Sequence, residues 1–115
     1  MQHKTYTLKG NSIAGPVNDF VCGYYQEAYK SPYDGGFLLV YEDYSFLNGN
    51  DIMVCLRVDT TKEMQGVIII EMISGGGSGN IITGELFGSE NRKIKHFTGS
   101  LLEFCEQQQI KLVAD

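Results

Sequence analysis

From Lys4 to Lys9 polar and apolar residues alternate, with Tyr6 and Leu8 on one side and Thr5 and Thr7 on the other. That period predicts a short half-buried strand ending at Gly10-Asn11. The spacing then changes: Val17, Phe20, Val21, Tyr24 and Ala28 recur as residues on one face of a helix do. Pro16 suits the first turn of that helix, and Ser31-Pro32 closes it, because the residue before a proline is pushed out of helical conformations. Beyond the turn signal Asp34-Gly35-Gly36 lie three strand-like runs, Phe37 to Phe46, Ile52 to Asp59 and Val67 to Ile73. Asn48-Gly49-Asn50 supplies the residues that tolerate the left-handed backbone of a tight hairpin turn.

The pattern also predicts registers. A three-residue first loop sets Phe46 opposite Ile52, Tyr44 opposite Val54, Glu42 opposite Leu56 and Val40 opposite Val58, so that apolar sets coincide. A second hairpin through Thr60 to Gly66 sets Val58 opposite Ile68, Leu56 opposite Ile70 and Val54 opposite Met72. One sheet face is then strongly apolar. Ile81 to Phe87 reads as a fourth strand of the meander, with Gly84 marking a bulge. Ser89 reads as the N-cap of a closing helix whose apolar face carries Ile94, Phe97, Leu101, Phe104 and Cys105. Gly99 costs that helix about 1 kcal/mol relative to Ala. Ile110 to Val113 is a last short strand or a frayed end.

The predicted order is β-α-β-β-β-β-α, an α+β fold with an antiparallel sheet and two helices packed on its apolar face. A chain of 115 residues without internal repeats fits one domain spanning 1–115. TATA-binding-protein-like and helix-grip folds share this order, and such a likeness implies no function.

Composition narrows the setting. An apolar fraction of 43% with 20% charged residues is that of a globular chain. Glu71 interrupts the longest apolar run and Ser74 ends it, well short of the roughly 20 residues that cross a bilayer, so no membrane span is expected. The start, Met1 to Tyr6, lacks the apolar core of a secretory signal, and Cys22, Cys55 and Cys105 form no C-x-x-C pair. Reduced thiols and a cytoplasmic location are expected. A net charge of -5 and a pI near 4.9 oppose binding to a nucleic-acid backbone.

Four features are candidates for chemistry or binding. The run "ISGGGSGN", residues 73–80, follows a strand as phosphate loops do, yet Asn80 stands where a third glycine belongs and β-branched residues follow it. Gly75, Gly76, Gly77 and Ser78 are therefore read first as a bend between strands, and as a ligand loop only if a cavity adjoins them. Glu42, placed by the predicted register on the apolar face, is a candidate pocket acid or base beside Tyr44. His3 and His96 have no second metal-type ligand at short spacing, so no metal or cofactor is expected. His96 and Cys105 lie about 180° apart around the closing helix at 100° per residue, against a catalytic thiol pair.

The fourth feature is the opposite sheet face, predicted to carry Leu39, Tyr41, Asp43, Met53, Cys55, Arg57, Ile69, Glu71 and Ile73. It is too apolar for a wholly wet surface. Self-association through Tyr41, Met53, Cys55, Arg57 and Ile69 leads, with cover by the N-terminal strand or C-terminal tail, or contact with a ligand, as the other options. Seven tyrosines could also line a small-molecule pocket.

The stretch from Tyr41-Glu42-Asp43-Tyr44 through Val54-Cys55-Leu56-Arg57-Val58 and Ile69-Ile70 to Ser74-Gly75-Gly76-Gly77 resembles short bacterial proteins of unknown function. That uncharacterised family follows an aromatic strand with two apolar strands, a Ser-Gly-Gly element and a closing helix. The resemblance implies no activity and no site residue. Two functions are thus expected to compete: a non-enzymatic binding module that forms homo-oligomers, and a small-ligand pocket protein or enzyme using Glu42 and the loop from Gly75 to Gly79.

Overall fold

The computed structural model describes residues 2–45, 50–76 and 85–115. Six strands and two helices follow in the order β1 (Gln2–Lys9), α1 (Ala14–Tyr24), β2 (Tyr29–Tyr33), β3 (Gly36–Ser45), β4 (Asn50–Asp59), β5 (Val67–Gly76), α2 (Glu85–Gln108) and β6 (Lys111–Ala114). The strands form one antiparallel sheet in the order β2-β3-β4-β5-β1-β6. Both helices lie on the face that carries Tyr6, Leu8, Leu39, Val54, Leu56, Val58, Ile68, Ile70 and Met72, all buried. The α+β class with an antiparallel sheet is the predicted one.

Several elements differ from the sequence pattern. The first helix ends at Tyr24, and the stretch assigned to its C-terminal end forms β2 instead, with Tyr29 paired to Val40 and Tyr33 to Gly36. Asp34-Gly35 makes the tight connection, Gly35 taking φ 99°. Pro32 is tolerated because β2 is an edge strand, where a missing N–H breaks no inner ladder. At the other end α2 begins at Glu85, four residues ahead of Ser89, so Glu85 to Phe87 are helical rather than part of a fourth meander strand. Ile81 to Gly84 lie outside the described residues. The C-terminal segment is a strand, β6, paired with β1 through Leu8 and Leu112.

The register of β3 on β4 is also corrected. Tyr41 pairs with Val54, Glu42 with Met53 and Leu39 with Leu56, so the odd-numbered residues of β3 face the helices. A strand has only two faces, so this odd-numbered slip moves Val40 and Glu42 away from the core and brings Phe37 and Leu39 into it. The physical reason is that "FLLVY" is apolar at every position, so alternation does not fix its phase, and the observed phase leaves Glu42 in solvent. Between β4 and β5 the slip is even: Val58 pairs with Ile70 and Leu56 with Met72, and the same residues stay buried.

The core closes around Phe97. Its ring lies 5.6 Å from that of Tyr6 on β1, 6.1 Å from Phe20, 5.2 Å from Tyr24 and 6.2 Å from Tyr25. Phe20 stacks in turn on Phe104 at 4.6 Å. Ile94, Phe97, Leu101 and Cys105 form the buried stripe of α2, as their spacing predicts. Beneath it the fully buried Tyr6 hydroxyl donates to Thr98 Oγ1 at 2.5 Å, which donates to the Ile94 carbonyl at 2.7 Å. The polar end of a core tyrosine is thereby satisfied.

Three substitutions separate these contributions. Phe97→Ala is expected to destabilise by about 3–5 kcal/mol through the cavity it leaves. Tyr6→Phe should cost about 1 kcal/mol, since Thr98 keeps its bond to Ile94. Gly99→Ala should stabilise by up to about 1 kcal/mol, because a methyl group at this exposed helical site meets no atom within 4 Å. Urea denaturation monitored by far-UV circular dichroism measures all three.

Candidate functional site

On the sheet face away from the helices the registers place Tyr29, Ser31 and Tyr33 of β2, Leu38, Val40 and Glu42 of β3, and Met53, Cys55 and Arg57 of β4. Ile69, Glu71 and Ile73 of β5, His3, Thr5 and Thr7 of β1 and Val113 of β6 continue it. Among the described residues no element covers this face: β1 and β6, the candidates for cover, join the sheet edgewise instead. Among the described residues, four of the six strongly exposed large apolar side chains lie here, Tyr29 at 70%, Met53 at 48%, Tyr33 at 45% and Val113 at 44%. Met53, Cys55, Arg57 and Ile69 are where the sequence places them. Tyr41 is not; it turns to the helix side and packs 5.0 Å from the Tyr25 ring.

A polar network crosses the middle of this apolar face. Arg57 Nε donates to Glu71 Oε1 at 3.0 Å, His3 Nε2 lies 3.5 Å from Glu71 Oε2, and Thr5 Oγ1 lies 3.4 Å from the same histidine nitrogen. The hydrogen bond and charge of Glu71 raise the pKa of Arg57 further. With both partners solvated the pair is worth roughly 0.2–1 kcal/mol to the monomer.

The second candidate lies on the helix-covered side. A cleft of about 710 Å³ opens between the end of α1, the first turns of α2 that carry described side chains, and the sheet. Tyr24, Tyr25 and Tyr41 give it an aromatic wall, Arg92, Lys93 and His96 a basic one, and Glu27 stands on its lining. Tyr25 brings the rings together, 4.7 Å from Tyr24 and 5.0 Å from Tyr41, and Lys93 Nζ lies 6.0 Å above the Tyr41 ring. The Tyr24 hydroxyl and His96 Nδ1 share a hydrogen bond. Burial pushes the Tyr24 pKa up, against a hydrogen bond with Ser100 that lowers it, so the phenol keeps its proton.

The sequence-predicted pocket residues are not in this cleft. Glu42 is exposed on the other face, opposite Met53, because of the β3 register. Gly75 and Gly76 extend β5, paired with Met53 and Ile52. Their neighbour Ser74 is fully buried, its hydroxyl without a partner among the described residues. The next described element is α2 and not another strand, while Gly77, Ser78 and the Tyr44 side chain lie outside the described residues. Sequence reading missed the cleft although a signal existed: Arg92, Lys93, Lys95 and His96 crowd one helical turn and a half of a chain whose net charge is -5.

Comparison with protein-family models, with curated proteins and with solved structures found no match to the chain. No described helix is long and apolar enough to cross a membrane. Among the described residues no three His, Cys, Asp or Glu side chains gather as metal ligands would.

The thiols divide by environment. Cys105 is buried on α2 and burial pushes its pKa up to about 11, whereas Cys22 and Cys55 are partly exposed. Cys105 and Tyr6, also raised chiefly by burial, both hold their protons more tightly folded than unfolded. The Cys105 contribution is complete below the ordinary thiol value of 9.0 and is lost as pH rises through about 11, while that of Tyr6 is complete below the ordinary phenol value of 10.0 and is lost at higher pH. Denaturation midpoints should fall across that window, and fall less in Cys105→Ala. A chromogenic disulfide reagent at mildly alkaline pH should label Cys22 and Cys55 well before Cys105.

Proposed function

We propose that the chain is a non-enzymatic interaction module, working in the cytoplasm, that self-associates through the uncovered sheet face. The observation that supports this reading is the concentration of exposed Tyr29, Tyr33, Met53 and Val113 on one face. Its size is also suitable. Six strands spaced about 4.8 Å apart and roughly eight residues long present some 750 Å², near the roughly 800 Å² that each partner gives to a standard interface.

A second copy of the same chain is the occupant that the charges favour. A two-fold axis along the strands, between β4 and β5, superposes each strand on the other in the facing sheet. Arg57 then stands over Glu71 of the second copy, and Cys55 over its Ile73. Each ion pair gains an opposite charge across the interface, Tyr33 comes over Val113 at the margins, and Leu38 and Val40 come over Thr5 and His3. Packed sheets depart from this alignment by about 30° through their twist, which leaves the central rows in register.

Sedimentation velocity from low micromolar to near-millimolar concentration should show a monomer–dimer equilibrium. Met53→Lys and Arg57→Glu should each weaken the dimer by roughly tenfold or more, and Arg57→Glu with Glu71→Arg should restore it, since the swap regenerates both the internal and the crossed pairs. A chain that stays monomeric throughout, or a Met53→Lys dimer as tight as the parent, would overturn the reading.

A further inference from the structure

We infer that the cleft between the end of α1 and the basic turns of α2 is a binding site for a small planar anion, an aromatic or heteroaromatic ring bearing one carboxylate or phosphate group. Three independent features converge there. The volume, about 710 Å³, lies inside the range of small-molecule sites. The wall formed by Tyr24, Tyr25 and Tyr41 is aromatic, and rings of this kind bind a flat ligand by stacking or edge contact at little entropic cost.

The third feature is charge. Lys and Arg number nine in the whole chain against fourteen Asp and Glu, yet Arg92, Lys93 and His96 all line this one cleft. An anion repelled by the molecule as a whole meets here a guanidinium, an ammonium and an imidazole ring held in place by its Nδ1 contact with Tyr24. The position of Lys93 over Tyr41 ties the cationic wall to the aromatic one, so a ring stacked on the tyrosine lies within reach of the charge. Glu27 limits the ligand further. As the acidic residue on the lining, it repels a second anionic group and accepts from a donor such as a ring amine or hydroxyl.

The site is separate from the sheet face, since Tyr41 and the α2 residues belong to the helix-covered side. Its test is therefore independent of the oligomeric state. Amide NMR titrations with para-aminobenzoate, cyclohexanecarboxylate and benzylamine distinguish a planar anion from a non-planar anion and from a planar cation. Para-aminobenzoate should give saturable shifts confined to Gly23–Glu27, Tyr41, Ile52 and residues 92–96.

Cyclohexanecarboxylate should bind more weakly and benzylamine should not saturate. The double variant Arg92→Ala with Lys93→Ala should lose roughly tenfold or more in affinity. Lys95→Ala, whose residue lies off this cleft, should bind as the parent does. Amide spectra of each variant report directly that it is folded. Absence of saturable shifts at millimolar para-aminobenzoate, equal binding of benzylamine, or an unchanged affinity in the folded double variant would overturn the assignment.

Discussion

The Phe97 ring meets the sheet and the first helix at the same time, edge-on to Tyr6 of β1 and against Phe20, Tyr24 and Tyr25. The attachment of α1 depends on this cluster. Among the described residues the helix makes no extended close backbone approach to another element, so its docking rests on large side chains reaching across the gap. The same spacing explains the cleft. Rings hold α1 away from the sheet, and beyond Tyr25, where they run out, space remains between the helices and β3.

Much of the fold is legible in the residues because the two periods are distinct. Tyr6 and Leu8 in β1, and Ile94, Phe97, Leu101 and Cys105 in α2, lie on the faces that their spacing requires. The failures occur where periodicity carries no information. "FLLVY" alternates equally well in either phase, and loop length alone could not choose between them. Tyr29 to Tyr33 is short, polar at its centre and interrupted by Pro32, so it resembles a helix stop although Asp34-Gly35 behind it is a hairpin signal. Among the described residues, β2 is a strand the pattern did not predict and Glu85 to Phe87 are helical, so four described strands lie between the helices.

The candidate sites were legible in part for the same reason. The β4 and β5 members of the open face, Met53, Cys55, Arg57 and Ile69, follow from alternation within strands whose phase is unambiguous. Tyr41 and Glu42 exchanged faces with the β3 register, and the imagined acid pocket went with them. The cleft brings together residues from α1, β3, β4 and α2, and such a meeting is invisible to any local pattern. Only its basic half, crowded into residues 92–96, left a trace in the linear sequence.

The place of β1 in the sheet has a kinetic side. Tyr6 finds Ile70 on one flank and Ala114 on the other, so the first strand of the molecule bridges partners from its middle and its end. The β2–β3–β4–β5 meander can zip through local turns, but β1 has no neighbour of its own to pair with and must wait for distant chain to arrive. Closure of β5, β1 and β6 is thus the slow, long-range step of assembly. Until it occurs, the meander exposes the edge of β5, with its "VIII" run, to any other strand that reaches it first.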